Sequence, residues 1–288
     1  MWCEAGSVRR RIFRPPSRIP MTQPEQQEKE VIEAREGVVG VFDILGFKGY
    51  LRNDPDVRSK QTLQVLLEIS AGVSGRIKRR VPEAEALVNE MSWSSFADSI
   101  LFAMPYSETK DEQRAGIEQR KRWLTCLLWS VVLLDHMFDQ GLPIRGAISF
   151  GRFFFHKPKN CFAGRAFLEA HELEERINLS GAVLHESAEV EFRRLTESFK
   201  SGDGIYVYNI LLDYLVPEKG ASKKRLVLNQ WALSDKHDNE DIAQLAAEAF
   251  WKHGKDIDDG AAQKLRNTEM LLRFVVATKR ALRSRRSV

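Results

Sequence analysis

Apolar positions along the chain follow two periods, and the points where one gives way to the other outline an order of strands and helices. Val38-Val39-Gly40-Val41-Phe42-Asp43-Ile44 is a run of small, β-branched and aromatic residues without helical spacing, the pattern of a strand buried on both faces. Further strands are predicted near 87–94, 99–104, 143–150 and 152–156, and helices near 47–53, 57–80, 112–139, 164–177 and 185–199. Strand, helix pair, hairpin, long helix, strand is the order of a ferredoxin-like α+β sheet. Beyond residue 200, Gly204–Tyr208 and Arg225–Leu228 read as strands, and 239–253 and 258–284 as helices. Internal repeats and low-complexity segments are absent. The expected organisation is a basic leader over 1–36, a principal α+β domain over 37–199, and a C-terminal α/β extension over 200–288 that packs on the domain or helps it dimerise.

Composition changes this picture mainly by exclusion. With 288 residues and 43% hydrophobic content the chain can bury a substantial core. The apolar stretch Trp123–Leu134 is too short to span a bilayer and runs on into Asp135 and His136, so it reads as a core helix and no membrane association is expected. Cys3, Cys126 and Cys161 show no C-x-x-C spacing, which argues against structural zinc or a disulfide framework and suits a reducing cytoplasm. No H-x-x-x-H pair occurs, and His171 is assigned to the surface. The net charge of +4 is uneven, since residues 1–20 carry five Arg against one Glu and the last ten residues carry five basic side chains. The Arg/Pro-rich start lacks the apolar core of a signal peptide, is expected to be disordered, and precedes Met21, which reads as an alternative start. No aromatic-basic interleaving or recognition helix accompanies these tails, so nucleic acid is not an expected partner.

Candidate chemistry begins at Asp43. A carboxylate ending a buried strand, followed by the glycine turn Leu45-Gly46-Phe47-Lys48, can hold a metal against a phosphate. A helix N-cap or turn residue is the other reading of such an Asp. Asp98, in Ser94-Ser95-Phe96-Ala97-Asp98-Ser99, offers a second carboxylate at a hairpin turn, and two hard oxygen donors on adjacent strand ends suit magnesium or manganese beside a triphosphate. A third strand, Gly141–Gly151, carries Arg145 and precedes an amphipathic helix that opens at Gly164.

In that order the blocks resemble the class III nucleotidyl cyclase domain, over roughly residues 37–185, so the fold expected is α+β with a C-terminal extension. The strings DILGFK, FADSI, IRGAISFG and AGRAFLEAHELE are most similar to the bacterial branch that contains the Pycsar pyrimidine cyclases of anti-phage defence. Ala97 stands where the family carries Gly, and Ser94 where ordinary members carry a purine-reading Lys or Glu. Leu168 and Glu172 stand where ordinary members place a ribose-orienting Asn and a transition-state Arg.

The resemblance implies a lyase that converts UTP or CTP to the 3′,5′-cyclic nucleotide and pyrophosphate, using two manganese or magnesium ions. Asp43, Asp98 and the Ile44 carbonyl would hold the ions, and Leu45, Gly46, Phe47 and Lys48 would bind phosphate. Arg145, or secondarily Arg165, would replace the absent helix Arg, while Tyr50 and Ser94 would line the base pocket. It further implies a homodimer and a separate effector protein that responds to the cyclic nucleotide. A catalytically silent cyclase-fold module that binds a nucleotide or a protein is the main alternative, favoured by the missing Asn and Arg. Diguanylate synthesis is a third, weakened by the lack of a G-G-[DE]-E-F hairpin.

Overall fold

The computed structural model describes residues 34–52, 54–80, 84–107, 111–156, 161–197, 209–234, 240–254 and 259–286. The expected leader lies outside these residues as far as 33, and Ala34 already begins a strand. The elements are β1 (Ala34–Ile44), α1 (Phe47–Arg52), α2 (Pro55–Arg80), α3 (Ala84–Glu90), β2 (Ser92–Phe96), β3 (Ser99–Pro105), α4 (Glu112–Asp139) and β4 (Ile144–His156). They continue with β5 (Cys161–Ala163), α5 (Arg165–Arg176), β6 (Gly181–Leu184), α6 (Glu186–Glu197), β7 (Leu211–Pro217), β8 (Ser222–Leu228), α7 (Ile242–Trp251) and α8 (Asp259–Arg286).

One sheet organises the molecule, in the order β2-β3-β1-β4-β6-β8-β7, with β5 paired to β4. Its first four strands are mutually antiparallel and run β4-β1-β3-β2, the ferredoxin-like arrangement expected from the element order. β6 then joins β4 in parallel, and β8 and β7 carry the sheet into the C-terminal extension. The fold is therefore α+β, with the extension built into the same sheet.

β1 is central because both its faces are apolar. Val38, Phe42 and Ile44 enter a core cluster with α1 to α4, and Val39 and Val41 enter a second one with α5. Two glycines make room for aromatic rings across the ladder: Gly40 faces Phe102 and Gly146 faces Phe42, and a Cβ at either would come within 2.2 Å of the opposing ring. α7 and α8 pack, with Val183 and Val227 of the sheet, in a third cluster.

Several predicted elements need correction. The strand expected over 87–94 is helix as far as Glu90, because Ala84, Glu85, Ala86 and Leu87 favour a helix whose Leu87 packs in the α4 core. The two strands drawn on either side of Gly151 are one, β4. The short strands β5, β6 and β7 were not anticipated, and the strand predicted at Gly204–Tyr208 lies outside the described residues.

Candidate active site

Strand register assembles the site. Asp43 pairs across β1 with Ser99 of β3 on one side and Arg145 of β4 on the other, and Ser99 pairs with Phe96 of β2. Directly paired residues share a sheet face, so Phe96, Ser99, Asp43 and Arg145 form one row on the face that carries α5. Asp98 is tied to the same point, since the Ile44 N–H donates to its carbonyl at 3.0 Å. Its turn is tight: Ala97 has φ +54°, in the left-handed region that glycine adopts at no steric cost. Two carboxylates 55 residues apart in sequence thus lie close together beside the turn between β2 and β3.

Electrostatics at the pair follow from burial and proximity. Burial pushes the Asp43 carboxyl above the usual carboxylate range, the Arg145 guanidinium pulls it back, and neighbouring Asp98 pushes it further up. Arg145 Nη2 lies 3.2 Å from Asp43 Oδ2 and Arg145 Nε 2.5 Å from Glu174 Oε1. The Glu174 contact is a close ionic one without hydrogen-bond alignment. Arg145 Nη1 donates to the carbonyls of Glu175 at 3.2 Å and Ile177 at 3.5 Å. Glu174 is almost wholly buried at the end of α5, its carboxyl pushed up to about 7 by burial against the pull of Arg145, with Asp43 and Glu175 adding to the rise.

The C-terminal extension braces this end of the site. Asn267 of α8 donates to the Asn178 carbonyl at 2.7 Å, Thr268 accepts from the Ser180 N–H at 2.8 Å, and the Asn178 N–H donates to Pro217 at 2.9 Å. The loop that supplies Arg145 with the Ile177 carbonyl is therefore held by residues beyond 200.

Other predicted residues separate into those near the row and those away from it. Ser94 pairs with Leu101, one same-face step along β2 from Phe96. Gly46 is exposed, with φ +72°, and opens the turn into α1, where Lys48 is exposed. Leu45 is not available as a phosphate donor, because its N–H donates to Pro143 at 2.9 Å, and the Phe47 side chain is buried in the core. Tyr50 is the clearest correction. It is fully buried in the cluster on the opposite sheet face, stacked on Phe47 with centroids 6.0 Å apart, its hydroxyl donating to the Arg58 carbonyl at 3.2 Å. Such a ring offers nothing to a base. Arg165 is exposed and paired with Glu169 at 2.7 Å, and so is not placed as a second catalytic cation. Leu168 and Glu172 are exposed on α5.

Sequence reasoning passed over two residues. Glu174 sits on α5 two residues past Glu172, and only burial distinguishes it from its acidic neighbours. Phe96 is 81% exposed at the end of the Asp43 row; an aromatic two residues before the hairpin Asp was the available signal.

As a cation site the arrangement offers two hard carboxylates and the Ile44 backbone, and a divalent ion would offset both the burial that chiefly raises the Asp43 carboxyl and the smaller contribution of its neighbour Asp98. These donors fit magnesium or manganese. Among the described residues, no group of three or more His, Cys, Asp or Glu is placed to hold a metal, and no helix is long and apolar enough to cross a membrane.

No protein family and no curated protein matches the chain. Among solved structures, the adenylyl cyclase CyaB from P. aeruginosa is 14% identical, with 68% of this chain and 94% of that one covered and a TM-score of 0.38. A bacterial light-regulated adenylyl cyclase is 12% identical, covering 75% and 99% with a TM-score of 0.38. The guanylyl cyclase Cya2 is 12% identical, covering 68% and 92% with a TM-score of 0.36. Each is a protein that this chain is similar to at a level that fixes neither activity nor substrate.

Proposed function

We propose that the chain is a nucleotide cyclase, and specifically a pyrimidine cyclase that converts UTP or CTP to the 3′,5′-cyclic nucleotide with release of pyrophosphate. The observation that carries this reading is the convergence of Asp43 and Asp98 on adjacent strand ends beside Arg145, on a ferredoxin-like sheet. Asp43, Asp98 and the Ile44 carbonyl would hold two divalent ions, which supply Lewis acidity toward the 3′-hydroxyl and neutralise phosphate charge. The chain's own groups do the rest. Gly46 lets the backbone turn close to the phosphates, and Lys48, exposed on α1, adds positive charge there. Arg145 offers a guanidinium to the phosphate oxygens as negative charge grows on them.

Base selection falls to the other end of the row. With Tyr50 in the core, Phe96 supplies a ring face for stacking and Ser94 a hydroxyl that can donate to or accept from a pyrimidine edge. The absence of a Lys or Glu at Ser94 removes the charged purine reader of ordinary cyclases. A homodimer, a separate effector responsive to the cyclic nucleotide and a role in anti-phage defence belong to the same reading, through the motif resemblance.

A silent nucleotide- or protein-binding module is the second reading, favoured by Leu168 and Glu172 at the positions of the family's Asn and Arg. Incubation of purified chain with each of the four nucleoside triphosphates and manganese, followed by chromatography, separates them. The expected result is a cyclic product from UTP or CTP well ahead of ATP and GTP. Equal rates on all four would remove the pyrimidine assignment, product from ATP or GTP alone would return the chain to the ordinary cyclases, and no product from any would favour the silent module.

A further inference from the structure

Arg145 is an unusual neighbour for a cation site, because its guanidinium already neutralises one of the two carboxylates. Four oxygens surround it: Asp43 Oδ2 at 3.2 Å, Glu174 Oε1 at 2.5 Å, and the carbonyls of Glu175 at 3.2 Å and Ile177 at 3.5 Å. Three of the four belong to the end of α5 and the residue that follows it, and only Asp43 belongs to the candidate metal pair. The Asp43 contact is the longer of the two carboxylate contacts and is made by a terminal nitrogen, whereas Glu174 holds Nε, nearer the root of the side chain.

We propose that Arg145 is a built-in counter-ion for the Asp43–Asp98 pair, exchanged for a divalent cation when one binds, and that Glu174 is the positioning residue that retains the guanidinium during the exchange. The proposal rests on the metal-binding role of the two aspartates given above. Its physical basis is the cost of bare buried charge. When a cation takes Asp43, Arg145 keeps Glu174 and two carbonyls, so no unpaired guanidinium is left behind. Glu174, its side chain 3% exposed, in turn needs a cation whenever it is ionised and anchors Arg145 whether or not the metal is present. The anchor stands still because Asn267, Thr268 and Pro217 fix the adjoining loop. The strength with which Arg145 leans on Asp43, and hence the affinity of the site for metal, is set by Glu174.

Calorimetric titration of the full chain with manganese, without nucleotide, tests this independently of turnover. Removal of the competing charge in Arg145→Gln is expected to tighten manganese binding about tenfold, a mid-range coupling for groups in one ion-pair network. Glu174→Gln leaves Asp43 as the sole carboxylate partner of Arg145, and is expected to weaken manganese binding by about the same factor. The double variant, which removes both charges and so keeps the fold neutral at this point, is expected to match Arg145→Gln. Glu174→Asp, with the carboxylate kept but withdrawn by one methylene, is expected to weaken binding by less than Glu174→Gln. Unchanged or weaker binding in Arg145→Gln would overturn the counter-ion role, and unchanged binding in Glu174→Gln would overturn the positioning role. Wild-type manganese affinity in Asp43→Asn would instead show that the aspartates hold no metal, which sinks the underlying reading rather than the exchange alone.

Discussion

Replacing Arg145 by Ala is the perturbation whose energetic cost depends most sharply on pH. The change removes the partner 2.5 Å from Glu174 and leaves that carboxylate, 3% exposed near the end of α5, with the more distant His171 Nδ1 at 3.5 Å. Breaking a buried pair from one side costs about 3–5 kcal/mol. Because Arg145 is itself 14% exposed and water can partly replace it, about 3 kcal/mol is expected at pH 8.5, where Glu174 is ionised. The burial that pushes the Glu174 carboxyl from 4.5 to about 7 gives the pH dependence. A raised folded value means that the folded state holds the proton more tightly than the unfolded chain does. The contribution is therefore fully present below the unfolded value and is lost as pH rises through the folded one. Without Arg145 the folded value rises further, and the loss extends above pH 7. At pH 5.5 the Glu174 carboxyl is protonated, and the cost falls to about 1 kcal/mol, for the lost hydrogen bonds to two carbonyls and to Asp43. Urea unfolding at pH 5.5 and 8.5 in a chelating buffer measures both values, and at about 2–4 °C per kcal/mol thermal melts report the same difference. Glu174→Gln in the Arg145→Ala background should recover most of the loss at pH 8.5. A penalty equal at the two pH values, or larger in acid, would refute the reasoning.

Asp43→Asn and Asp98→Asn should each lower turnover with manganese by at least about a hundredfold. Because burial and Asp98 hold the Asp43 carboxyl above its usual range, Asp43→Asn should melt no earlier than wild type at pH 7.5, and early melting would show that Arg145 outweighs both effects. Gly146→Ala places a Cβ 2.2 Å from the Phe42 ring and should cost about 1–3 kcal/mol of stability in denaturant titration. Tyr50→Phe removes a buried hydroxyl bonded to Arg58 and should cost about 1 kcal/mol while leaving the order of preference among nucleotides unchanged. Phe96→Ala, by contrast, should raise KM for the preferred pyrimidine substrate with little change in melting temperature, since the ring is 81% exposed. A shift in nucleotide preference in Tyr50→Phe but not in Phe96→Ala would reverse the base-site assignment.

Local chemistry made much of this protein legible in advance. The apolar run Val38–Phe42 required a buried strand, the glycine after Asp43 required a turn, and the spacing of apolar residues over 112–139 required the long helix that became α4. The ferredoxin-like order followed from those elements, because few arrangements bury such a strand on both faces. Asp43 and Asp98 could be paired from sequence because each ends a strand beside a turn, and antiparallel neighbours bring such ends together. Some short elements were not legible: β6 is four wholly buried residues, and β7 acquires its place only by extending a sheet already formed, whereas the second half of β8 reads as a strand at Arg225–Leu228. Nor were the partners of charge. Tyr50 reads as a residue of the phosphate turn, but a six-residue helix turns its ring into the core beside Phe47, where burying an aromatic outweighs exposing it. Glu174 reads as one more acidic residue in Glu172-Leu173-Glu174-Glu175, and only the packing of α5 on β1 and β4 decides that this one is buried against Arg145. Sequence specifies periodicity and turn chemistry because those are properties of near neighbours. Desolvation and ion pairing depend on what the rest of the chain places within a few ångströms, and that is set only when the sheet, its helices and the C-terminal extension close around the site.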